Sequence, residues 1–166
     1  MSKSQRAQTS VEGLLLVGII VLSAISVSIV YLKSSGDISV LVELKDFAGY
    51  ASSYITNGVV VNKSELAPLN EIITSYTGYY GVRFSFIGLK VTKENSSEIV
   101  IYLGFSHNLN NLTAEENSRI ATLLGEFLKN SLKNLRITSL RGDGIYIGEK
   151  RIVMNITVNN GWSVIR

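Results

Sequence analysis

The plainest chemistry in this sequence belongs to four Asn-x-Ser/Thr triplets, the acceptor pattern for an N-linked sugar in an exported chain. They begin at Asn62, Asn95, Asn111 and Asn155. Each falls in a stretch that reads as a loop or as the outward side of a strand, although Asn is an ordinary turn residue as well. Catalytic sets are harder to assemble. The one His, His107, stands beside Asn108 in a polar stretch, where imidazole is usually a solvated turn residue. There is no Cys, which excludes disulfide stapling, thiolate metal sites and thiol catalysis. No spacing of His, Asp or Glu matches a metal-ligand set, and no Gly run forms a phosphate cradle. Glu115 and Glu116 are explained as first-turn residues of a helix. Arg141-Gly142-Asp143 spells a cell-adhesion tripeptide, but Gly-Asp-Gly is also the turn that a hairpin needs there. The expectation is a chain with no catalytic residue, no cofactor and no metal, and no enzymatic activity.

One further acid asks for a reason. Glu12 sits at the front of an apolar run, Gly13 to Leu32, that holds 20 residues without a charged side chain. As a helix such a run covers about 30 Å, the hydrocarbon thickness of a bilayer. It has no Pro, and Ser23, Ser26 and Ser28 can bond back to carbonyls one turn earlier, so all backbone groups can be satisfied within it. Ahead of it, residues 1–7 carry Lys3 and Arg6 and no acid, a basic leader that stays on the cytoplasmic side. A carboxylate at the edge of such a run is costly unless paired.

The order of basic leader, small residue, Gln8-Thr9-Ser10-Val11-Glu12 and apolar run resembles the class III signal peptide of archaeal type IV pilins. The resemblance covers about 26 of the 166 residues. It implies cleavage between Ala7 and Gln8 by a membrane-embedded prepilin peptidase, with Gln8 as the new N-terminus. It also places Glu12 where type IV pilins in general carry Glu. The implied partners are the peptidase, a pilus assembly platform, the membrane, and further copies of the chain or other pilins. Three plainer readings compete: a secretory signal cut near Ala24-Ile25-Ser26, a single-span anchor with Glu12 as an interfacial acid, and a buried helix of a soluble protein.

Removing Lys3 and Arg6 from the 16 basic side chains leaves 14 against 13 acids, so the basic pI carries no argument for nucleic acid. Beyond Leu32, Lys33-Ser-Ser-Gly36-Asp37 is a polar break, after which helical spacing resumes at Val40 or Leu41, Leu44, Phe47, Ala48, Ala51, Tyr54 and Ile55. Asn57-Gly58 is a stop signal. One helix from about Thr9 to Thr56, loosened near Gly36, is the simplest reading. Glu65 to Tyr76 reads as a short helix with Pro68 in its first turn. Val82–Thr92 and Glu98–Phe105 read as a hairpin with Asn95 at its tip. Thr113-Ala-Glu-Glu116 is a capping box, opening a helix with Ile120, Leu123, Leu124, Phe127, Leu128, Leu132 and Leu135 on one face. Leu135–Leu140, Ile145–Gly148 and Arg151–Val158 read as strands, the last turning Asn155 outward.

The expected fold is α+β: a long N-terminal hydrophobic helix, then a small external domain of mostly antiparallel sheet packed with helices. The divisions are a leader at 1–7, a hydrophobic helix at 8–35 and the external domain at 36–166, with a helix at 38–56 packed on it. The functional expectation is a structural subunit of an archaeal type IV-like surface filament for adhesion. The chain would be held in the cell membrane before assembly and be extracellular, and glycosylated, after it. The alternative is a membrane-anchored extracellular binding or sensing domain that never polymerises.

Overall fold

The computed structural model describes Val17 and residues 19–23, 38–79, 82–142 and 144–166. The chain divides into two compact units, Met1–Ile38 and Ser39–Arg166. In the first, Val17 and residues 19–23 are helical, with Ile19, Ile20, Val21 and Leu22 at least half exposed.

The second unit is α+β. Its first helix, α1, runs over 38–57 and buries Val40, Leu44, Ala48, Ala51 and Ile55, while Glu43, Lys45 and Asp46 stay out of that stripe. Gly58, with φ +64°, ends it in the left-handed conformation. A 3-10 turn at Ser64–Leu66 leads into α2, Ala67–Ile72, with Pro68 in its first turn, where its missing N–H is not needed. A π-helical turn, Ile73–Thr77, closes on Gly78. Strands β1, Phe84–Glu94, and β2, Glu98–His107, form an antiparallel hairpin. Helix α3, Ala114–Lys133, follows. Thr113 Oγ1 accepts from Glu116 N–H, and the Glu116 carboxylate accepts from Thr113 N–H at 2.7 Å, so two otherwise orphaned donors are satisfied. Then come β3, Ser139–Arg141, β4, Gly144–Ile147, β5, Lys150–Val158, and β6, Gly161–Ile165.

The six strands make one sheet in the order β1-β2-β5-β4-β3, with β6 also paired to β5. All pairings are antiparallel except β2 with β5. Parallel neighbours need a crossover connection, and α3 supplies it. Along β2, Ile99, Ile101, Leu103 and Phe105 face the helices; along β5, Ile152, Met154, Ile156 and Val158 do the same. They meet Ile120, Leu124, Leu128 and Leu132 of α3 in one core cluster that also holds the α1 stripe. Two glycines set the closeness of α3 to β6. A Cβ at Gly125 would lie 2.3 Å from Ile165 Cγ1, and one at Gly161 would lie 2.4 Å from the Asn117 carbonyl carbon and the Ser118 nitrogen.

Three expectations are corrected. The long N-terminal hydrophobic helix is not found: among the described residues no helix is long and apolar enough to cross a membrane. Helix α1 is amphipathic, with its apolar stripe committed to the core shared with the sheet. Of the helix expected from Thr9 to Thr56, α1 is described at 38–57, and residues 9–16, 18 and 24–37 lie outside the described residues. Leu135–Leu140 is mostly turn, stapled by the Thr138 hydroxyl donating to Leu132 O, and only Ser139–Arg141 pairs as a strand. Finally, β6 is a strand the sequence reading passes over.

Candidate functional site

Ala7, Gln8 and Glu12, the expected processing and assembly residues, lie outside the described residues. The four sequon asparagines are within them. Asn62 is exposed in the extended segment between α1 and α2. Asn95 is exposed in the β1–β2 turn, where its Oδ1 accepts from Ser97 N–H, Ser97 O–H and Glu98 N–H. Asn111 is exposed ahead of α3 in the left-handed conformation, φ +69°, a local role for which Asn is suited. Asn155 is half-buried in the middle of β5.

Asn155 belongs to the sheet face that no helix among the described residues covers. Parallel pairing sets Tyr102 beside it on β2, and antiparallel pairing sets Val164 beside it on β6. Two residues on, Thr157 pairs with Trp162, and the Tyr102 hydroxyl lies 2.8 Å from Thr157 Oγ1. A register shift in β1 at Ile87 turns an extra apolar side chain to this face, close above Gly104. The face thus carries Ile87 at 68% exposure, Trp162 at 66%, Tyr102 at 39% and Val164 at 37%. Singly exposed apolar residues are ordinary, whereas four on one open sheet face form a patch of the kind that marks an interaction surface. At the other end of the face a hollow of about 480 Å³ opens beside Asn155, with Lys93, Glu98 and Arg166 on its rim. Lys93 donates to Glu98 at 2.7 Å, and this bond and charge, with Arg166 and Arg151 nearby, hold the Glu98 carboxyl below its ordinary range. The sequence signal for this surface was the alternation of Trp162 and Val164 after Gly161, missed because the final strand itself was missed.

His107 is not the solvated loop residue expected. It ends β2, half-buried, with its ring stacked on Phe84 at 5.8 Å. Leu109 N–H donates to Nδ1, so Nε2 carries the proton and donates to Asn117 Oδ1 at 2.7 Å. Asn117, 2% exposed, passes the chain on through Nδ2 to Asn160 Oδ1 at 2.6 Å. This network ties β2, α3 and the β5–β6 turn together. The Arg141-Gly142 pair is also occupied locally. Arg141 bonds Glu149 and lies over the Tyr146 ring at 5.2 Å, so its guanidinium is held above its ordinary pKa by the Glu149 carboxylate. Among the described residues no three His, Asp or Glu side chains gather as a metal site.

A second concavity, a groove of about 410 Å³, runs between α1 and α3 over Phe47, Tyr50, Leu66 and Phe127, with Asp46 and Asn130 at its edges. Tyr50 stacks on Phe127 at 6.1 Å. Compared with known proteins, the sequence matches no family model, and neither a curated protein nor a solved structure is similar to it.

Proposed function

We propose that this chain is the structural subunit of an archaeal type IV-like surface filament. A prepilin peptidase frees Gln8 from the Lys3- and Arg6-bearing leader. The assembly platform then adds the chain to a filament through its N-terminal apolar segment, with the Ser39–Arg166 unit turned outward for adhesion. The precursor is held at the cell membrane, the product is extracellular, and nucleic acid has no part in it. The observation that carries this reading is the run Arg6-Ala7-Gln8-Thr9-Ser10-Val11-Glu12, followed by 20 uncharged residues and then one compact α+β unit. A carboxylate beside a freed amine at the front of an apolar segment has a partner, which a plain anchor does not offer it. Mass spectrometry of the native N-terminus, with electron microscopy of surface filaments, tests it: a start at Gln8 in filament material is expected.

A second reading has one observation in its favour, the aromatic groove between α1 and α3, whose size suits a small ligand. It makes the chain a non-polymerising surface domain that binds or senses. An N-terminus that retains Met1 or Ser2, with no filaments, selects it. A start near Val27 selects an ordinary secretory signal and refutes both.

A further inference from the structure

We infer that Asn155 carries an N-linked glycan whose first sugars lie across the open face of the sheet, covering Trp162 and Tyr102. The inference rests on the export part of the proposed function, since only an exported chain meets the glycosylation machinery. Four sequons satisfy the sequence pattern, and the structure separates them. Asn95 and Asn111 stand on a turn and a connector, and Asn62 follows the exposed Val59, Val60 and Val61 on another connector, whereas Asn155 alone shares a sheet face with the exposed Ile87, Tyr102 and Trp162 of three other strands. Asn155 is set between Tyr102 and Val164 by the register, with Trp162 on the diagonal, and its side chain has no hydrogen-bond partner among the described residues.

The two sides of Asn155 suit the two kinds of surface that a pyranose presents. One sugar face is a plane of polarised C–H bonds, and it stacks on the electron-rich face of an aromatic ring. Trp162, two-thirds exposed on a five-residue strand, offers such a ring. The sugar edge is hydroxyl-rich, and the hollow beside Asn155 offers Lys93, Glu98 and Arg166 as partners. A polar polymer thus removes Trp162, Tyr102 and Ile87 from water while leaving a wet outer surface.

The chemistry is a group transfer from a lipid-phosphate-linked glycan donor. The Asn155 Nδ2 attacks C1 of the donor sugar and loses one proton. The N–C1 bond forms, the C1–O bond to phosphate breaks, and the lipid phosphate leaves with the bonding pair. Thr157 completes the acceptor triplet. In the folded chain its Oγ1 lies within hydrogen-bond distance of Tyr102, so the transfer precedes closure of the sheet.

Trp162 is the only Trp, so its fluorescence reports this face alone. The full chain is purified from its native host as wild type, Asn155→Gln, Thr157→Val, Thr157→Ser and Asn62→Gln. Glycopeptides are mapped, and acrylamide quenching of Trp162 is measured at matched oligomeric state. Two separate routes to the unmodified chain guard against misfolding of either. The expected result is sugar on Asn155, with Trp162 blue-shifted and shielded in wild type, Thr157→Ser and Asn62→Gln. Asn155→Gln and Thr157→Val lose that shielding. A bare Asn155 in a chain starting at Gln8 overturns this inference alone, and a bare Asn155 in a chain retaining Met1 overturns the proposed function with it. Trp162 shielded equally in all variants means that a second copy covers the face, and Trp162 quenched equally in all means that nothing does. Either result also overturns the inference.

Discussion

Replacing Gly161 by Ala adds one methyl group where the β5–β6 turn meets α3. Gly161 does not have a positive φ, so alanine meets no backbone penalty of its own, and the effect is steric. The new Cβ would stand 2.4 Å from the Asn117 carbonyl carbon and the Ser118 nitrogen, about 1 Å inside ordinary contact. Those atoms are helix backbone and cannot rotate away. The turn must retreat, at about 1–3 kcal/mol for overpacking. Retreat pulls Asn160 from the buried Asn117 amide and Trp162 N–H from Ser118 Oγ. An orphaned buried amide adds about 1–3 kcal/mol. Together this is about 2–6 kcal/mol, a large share of the roughly 5–15 kcal/mol that holds a domain folded. For a unit of this size it lowers the Tm by about 10 °C. Thermal unfolding followed by Trp162 fluorescence reads it. Gly49→Ala is the matched control: it lies in α1, nothing stands within 4 Å of its added Cβ, and it should stabilise by about 0.5–1 kcal/mol. A Gly161→Ala chain as stable as wild type would refute the close-approach argument.

On the proposed processing, Ala7→Glu should leave the precursor uncut, because a pocket that admits Ala7 would not admit a bulky acid; a gel-shift assay checks it, and normal maturation would remove the class III reading. On the proposed assembly, Glu12→Gln should be processed normally yet yield few filaments, since a freed Gln8 amine would lose the carboxylate that neutralises it among apolar neighbours. Abundant normal filaments by electron microscopy would leave Glu12 only a dipole role of about 0.3–1 kcal/mol. Glu98 and Glu149 are both held below the ordinary carboxylate value of 4.5, by Lys93 and Arg141 respectively. A depressed folded-state pKa contributes stability above 4.5 that is lost as pH falls through the folded value. The Glu98→Gln, Glu149→Gln double variant should therefore show a flatter fall of Tm with acid below that pH, by a small amount because both pairs are exposed. An unchanged slope would assign the acid sensitivity elsewhere.

Local signals were legible where one physical cause dominates. The capping box at Thr113 and the 3.6-residue stripe from Ile120 to Leu132 specify α3 without help from the rest of the chain. Asn95 and its neighbours specify the β1–β2 turn, because its Oδ1 gathers the donors that reverse the chain. The parallel pairing of β2 with β5 was not legible, since it depends on where α3 returns the chain. Nor was β6, whose five residues follow a turn, with Asn159 at φ +48°, that reads equally well as the end of ordered structure. His107 was misplaced because its polar neighbours Asn159 and Asn160 are distant in sequence and adjacent only once β5 has docked. The exposed face around Asn155 was half legible: alternation turns Asn155 outward, but the aromatics around it come from two other strands.

Strand β5 sits at the centre of the sheet, bonded to β2 along one side and to β4 and β6 along the other. It is synthesised after β1, β2 and α3. Chains emerge from the N-terminus onward at about 5–20 residues per second, so β1, β2 and α3 wait for seconds with an open strand edge at β2. Pairing across so long a loop forms slowly even then. A chain cut short before Gly161 leaves the α3 surface at Gly125 and Asn117 bare. Closing of the sheet therefore waits on the strands that follow α3.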